Sequence, residues 1–121
     1  MIPVIEDKIR LREKRDVFRL LLYIKLTEKG IPFHESELNV LCELYEQGGY
    51  IDDATQQVFM DNCLQKKFRK SKQSIRNVLA KFVNHGVIKK HRNFNCHISH
   101  DYIPPIDAEI IGLMFYVSHA A

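Results

Sequence analysis

Acid is missing from one long stretch of this sequence: between Asn62 and His100 there is no Asp or Glu. Those 39 residues hold ten basic ones, Lys66, Lys67, Arg69, Lys70, Lys72, Arg76, Lys81, Lys89, Lys90 and Arg92. The rest of the chain has eight basic and fifteen acidic residues, so a net charge of +3 conceals one strongly basic segment and an acidic remainder. Surfaces shaped by stability alone mix their signs, so a one-signed stretch points to a polyanionic partner. Cysteine is also scarce. Cys42, Cys63 and Cys96 are odd in number and far apart, which argues against a disulfide framework. The expected setting is reducing: the cytoplasm, or a host cell or virion for a phage protein. No apolar run approaches the roughly 20 residues of a membrane helix. The first fifteen residues are charged throughout, without the apolar core of a signal peptide. Low-complexity tracts and solenoid repeats are absent too.

Catalytic signatures are equally scarce. There is no Gly-rich phosphate loop, no Gly-x-Ser-x-Gly elbow and no His-Glu-x-x-His helix. Cys96-His97-x-x-His100 is the single metal-like cluster, but neighbours on a strand point to opposite faces and no second ligand pair sits at finger spacing. The expectation is a chain that is not an enzyme and holds neither metal nor cofactor.

What is present is a set of helical periods and stops. A long first helix is expected over residues 6–29, with Ile9, Val17, Leu20, Leu21 and Ile24 as its core face. Gly30 and Pro32 end it. A second helix is expected from Glu37 to Gln47, capped by Ser36 and burying Leu38, Leu41, Cys42 and Tyr45. After Gly48-Gly49, Tyr50-Ile51 suits a very short strand. A third helix, Ala54 to Phe68, would be capped by Asp53 with Gln56 in the capping-box position, burying Val58, Phe59 and Cys63.

The clearest signal follows. Ile75, Val78, Leu79, Phe82 and Val83 form one apolar stripe on a helix from Lys72 to about His85, with Ser71 as cap and Gly86 as stop. Its other face carries Lys72, Gln73, Arg76, Asn77, Lys81 and Asn84, side chains that reach phosphates and base edges. Residues 87–91 and 96–102 then read as a two-stranded ribbon around Arg92-Asn93-Phe94-Asn95. The histidines at 85, 91, 97 and 100 would be surface donors charging below roughly pH 6.5. From Ile106 to the end, Ile110, Ile111, Leu113, Met114, Phe115 and Tyr116 form a nearly continuous apolar segment. The division expected is therefore 1–105 as the main domain and 106–121 as a docking or oligomerisation segment.

Three helices followed by a ribbon, and the run SKQSIRNVLAKFVNHGVIKKH over residues 71–91, resemble the winged helix-turn-helix superfamily. MarR-type regulators and plasmid or phage replication initiators are among its members. Ser71, Ile75, Val78, Leu79, Phe82, Gly86, Val87 and Ile88 carry the likeness, which covers roughly residues 50–102. The chain departs from the pattern in the long basic turn KKFRKSK before the helix and in Phe94 at the wing tip. The resemblance implies a mainly α fold with a small β-ribbon and a regulatory DNA-binding role. Duplex DNA would be read by Gln73, Arg76 and Asn77 and held by Lys66, Lys67, Arg69, Lys70, Lys72, Lys81, Lys89, Lys90 and Arg92. A homodimer, or a partner protein, would meet the first helix and the C-terminal segment. The alternative expectation is a structural or adaptor protein of a phage or other mobile element, with the same frame serving protein–protein contacts.

Overall fold

The computed structural model describes residues 14–91 and 95–104. Among them are four helices and a small antiparallel sheet, in the order α1 (Lys14–Glu28), α2 (Glu35–Glu46), β1 (Tyr50–Ile51), α3 (Gln56–Gln65), α4 (Lys72–Asn84), β2 (Ile88–Lys90) and β3 (Cys96–Ile98). A 3-10 turn, His100–Tyr102, follows. None of these helices is long and apolar enough to cross a membrane. Ile9, Arg92, Phe94 and the whole 106–121 segment lie outside the described residues.

α1 buries Val17, Phe18, Leu22 and Leu26. The expected face was rotated: Leu20, Leu21 and Ile24 are only half-buried. This segment is apolar on nearly every side, so its periodicity leaves the phase open and packing against α2 decides it. Phe18 stacks on Tyr45 of α2, with ring centroids 4.3 Å apart. α2 begins two residues earlier than Ser36 would dictate. His34 is its N-cap, and the Glu37 carboxylate accepts the His34 backbone N–H at 2.8 Å.

α3 is shorter than expected and capped differently. Asp52 and Thr55 bond reciprocally in the turn that leads into it: the Asp52 carboxylate accepts the Thr55 N–H at 2.9 Å and the Thr55 hydroxyl accepts the Asp52 N–H at 3.0 Å. The helix starts at Gln56, so Asp53 and Gln56 do not form the box. Met60 is buried beside Phe59 and Cys63, and Val58 points to solvent at 57% exposure. α4 matches its expected start. The Ser71 hydroxyl accepts the Ser74 N–H at 3.1 Å, and Ile75, Val78 and Phe82 are buried with Leu79 and Val83 half-buried beside them.

All four helices stop in the same way. The residue after the C-cap takes a positive φ and bonds three residues back, and the next N–H bonds five residues back. At the end of α4, Gly86 (φ +76°) bonds to the Val83 carbonyl and Val87 to the Phe82 carbonyl at 2.9 Å. At the end of α3 the same position is held by Lys67 (φ +59°), the single non-glycine with positive φ among the described residues. Its N–H bonds to the Leu64 carbonyl and the Phe68 N–H to the Cys63 carbonyl, both at 3.0 Å. The basic turn before α4 therefore keeps ordinary helix-stop geometry without the residue that adopts it at least cost.

The strands lie in the order β1-β3-β2, with Ile51 opposite Cys96, Lys90 opposite Cys96 and Ile88 opposite Ile98. Ile51, Ile88, Cys96 and Ile98 turn inward to the core built by the helices. Val87 joins helix to sheet, because its carbonyl accepts the Ser99 N–H at 2.8 Å. β3 stops at Ile98 instead of running to Tyr102. The chain turns so that Tyr102 is buried, with Lys29 Nζ 4.8 Å from its ring centroid.

Candidate nucleic-acid interface

The stripe of α4 faces the core, so the helix must show solvent the residues between. Gln73, Arg76, Asn77, Ala80 and Asn84 are exposed, and Lys72 is half-exposed. Gln73 Nε2 donates to Asn77 Oδ1 at 3.0 Å, one turn along, which holds the two carboxamides side by side. The three expected base-reading residues thus share one exposed surface. Arg76 forms none of the salt bridges found among the described residues.

The basic residues divide into two groups. Lys81 Nζ donates to the Glu37 carboxylate at 2.8 Å and Lys66 Nζ to that of Glu43 at 2.6 Å. Both glutamates belong to α2, and each is only 5% exposed. Arg69 Nη1 donates to the Ser36 hydroxyl at 3.1 Å. Lys67, Lys70, Lys89 and Lys90 remain exposed and make no ion pair among the described residues. The acid-free window in sequence is therefore not acid-free in space. A stretch of α2 folds against it and engages Lys66 and Lys81, a pairing across 23 and 44 residues that local sequence cannot reveal.

Glu37 shows what this pairing does. Burial pushes its carboxyl pKa up, but the Lys81 hydrogen bond, the His34 N–H and the Lys81 charge outweigh that and hold it below the ordinary carboxylate value. The carboxylate stays charged, and α2 and α4 are tied at that point.

Beside the exposed face of α4 lies a groove of about 370 Å³, between this helix, the start of α3 and the sheet. Ile51, Met60, Leu79, Val83 and Cys96 give it an apolar floor. Gln56, Gln73, Arg76, Asn77, Ala80, Asn84 and Lys90 surround it. Ala80, which the face expected for α4 did not include, is exposed on the same helix. Gln56 and the floor residues reach the groove through tertiary packing, and nothing in the local sequence marks them.

The ribbon's other face carries histidine. His91 Nε2 lies 2.6 Å from His97 Nδ1, their rings stack at 4.7 Å, and His100 lies 6.1 Å from His97. Burial lowers the pKa of His97, and His91, His100 and Lys89 lower it further, so this imidazole charges at a lower pH than the ordinary value expected for it. Among the described residues no group of three or more His, Cys, Asp or Glu side chains is placed to hold a metal ion. Cys96 faces inward and His97 outward. Cys42, Cys63 and Cys96 are free and buried. Burial raises all three thiol pKa values, that of Cys63 to about 12 with the Glu43 charge adding to it, which suits packing and not nucleophilic chemistry.

No family model, curated protein or solved structure matches the chain.

Proposed function

We propose that this chain binds duplex DNA through the exposed face of α4, in a winged helix-turn-helix arrangement whose wing is the β2–β3 ribbon, and that its role is regulatory. The observation that carries the reading is the α4 surface itself. Arg76 is exposed beside the hydrogen-bonded Gln73 and Asn77 carboxamides and has no acid partner among the described residues, while Lys81 on the flank is withdrawn to Glu37. Arg76 would pair with guanine, and Gln73 and Asn77 with adenine. Lys67, Lys70, Lys72, Lys89 and Lys90 would hold phosphates, with Arg92 a further candidate outside the described residues. A homodimer would set two such helices on two-fold related half-sites.

The number of available lysines sets the salt dependence. Five phosphate contacts imply that affinity falls about 500-fold between 50 and 200 mM salt. Gel shifts with random and selected duplexes across that range, beside a mass measurement in solution, test the reading. No detectable binding at low salt ends it.

The pairing of Lys66 and Lys81 with buried glutamates favours a rival: this basic surface already meets acidic protein. An adaptor of a mobile-element assembly would use Arg76, Lys89 and Lys90 in the same way. A complex that buries those three against an acidic protein chain would decide for it.

A further inference from the structure

The groove beside α4 combines two chemistries that a flat phosphate-binding surface does not need. Its floor is aliphatic and sulfur-bearing, with Met60 and Ile51 almost fully buried and Leu79 and Val83 half-buried. Gln56, Gln73, Asn77 and Asn84 around it bring carboxamides from two helices. Arg76 and Lys90 bring positive charge from α4 and from the end of β2, and among the described residues no carboxylate lines the space. An apolar floor takes the face of a planar ring, carboxamides match the mixed donors and acceptors of a base edge, and the two cations suit a phosphate. At about 370 Å³ the groove lies at the small end of ligand pockets, about 300–1,000 Å³, which is room for one residue of a nucleic acid and not for a strand.

We propose that this groove is a single-nucleotide site, taking the base against Met60, Leu79 and Val83 and the phosphate between Arg76 and Lys90. The nucleotide has two possible sources, a free 5′-mononucleotide or an unstacked residue of the bound DNA, and the chemistry is the same for both. The inference rests on the nucleic-acid reading of the α4 face, yet it names a ligand whose binding is measurable without any duplex. If the source is free nucleotide, linkage makes it a competitor of duplex DNA, since both would use Gln73, Arg76 and Asn77.

The test titrates the full chain with AMP, CMP, GMP and TMP while ¹H–¹⁵N spectra are followed. Saturable shifts are expected at the Gln56, Gln73 and Asn84 side-chain amides and at the Ala80 backbone, with the matching nucleosides at least tenfold weaker. The double variant Arg76→Ala, Lys90→Ala should erase that difference between nucleotide and nucleoside. Ala80→Trp, at an exposed helix position, should fill the groove and abolish the shifts while the remaining spectrum shows an intact fold. A second arm compares a fully paired duplex with one carrying a single bulged nucleotide. Tighter binding of the bulged duplex by tenfold or more assigns the site to the DNA strand; equal duplex affinities together with mononucleotide binding assign it to free nucleotide. No shifts at millimolar nucleotide and equal affinity for the two duplexes overturn the groove site and leave duplex binding standing. Wild-type nucleotide binding by the Ala80→Trp variant also overturns it. Nucleotide binding with no duplex binding supports the groove and overturns the duplex reading.

Discussion

Lys81 of α4 and Glu37 of α2 meet at 2.8 Å, and the same carboxylate also accepts the backbone N–H of His34. One buried acid therefore caps its own helix and anchors α4, which separates Lys81, engaged within the fold, from the basic residues that remain exposed.

Glu37→Gln should cost about 1.5–3 kcal/mol at neutral pH, the usual worth of a hydrogen bond to a charged group. The folded-state pKa is depressed, so the charged form's contribution is complete above the ordinary carboxylate value of 4.5 and is lost as pH falls through the lower folded value. Urea unfolding at pH 7 and pH 3 checks this. The gap between wild type and variant should narrow in acid.

Arg76→Ala and Lys81→Ala should behave as opposites. The first removes a side chain with no partner among the described residues, leaves stability within about 0.5 kcal/mol and weakens DNA binding by roughly 1–3 kcal/mol. The second strands the Glu37 carboxylate and lowers stability. Thermal unfolding and gel shifts on the two purified variants separate the effects.

Lys67→Gly should raise stability, by about 1 kcal/mol, because a left-handed backbone is costly for a residue with a Cβ. Chemical denaturation measures it directly. Lys67→Ala keeps the strain and should not show the gain.

The histidine pair predicts acid sensitivity of the ribbon. At 2.6 Å one ring must donate and the other accept, so a proton on both facing nitrogens would break this contact. With His97 depressed in the folded state, the unfolded chain binds more protons there, and stability falls as pH drops below the ordinary value of 6.5. Proton NMR titration should show His97 charging below that value, and His91→Gln should move it upward.

The parts of this fold that could be read in the sequence are those set locally. α4 has a serine cap, a single-sided stripe and a glycine stop, which together place it from Lys72 to about His85, and the helix runs from Lys72 to Asn84. β1, β2 and the start of β3 follow from short apolar runs between turn residues. The elements that shifted are those with competing local options. α1 offers several apolar faces, and Asp52, Asp53 and Thr55 offer more than one way to cap α3. Tyr102 suits a strand by composition, but the α1 surface gives its ring a better burial. The candidate face on α4 was legible because amphipathicity exposes it. The use of Lys66 and Lys81 was not, since it depends on where α2 lies.

Val87 links helix and sheet within one residue. Its N–H closes the last turn of α4 on Phe82, and its carbonyl opens the ribbon by holding Ser99. No slack residue separates the two jobs. The end of α4 and the start of the ribbon therefore share a residue, and a change of backbone at Val87 disturbs both.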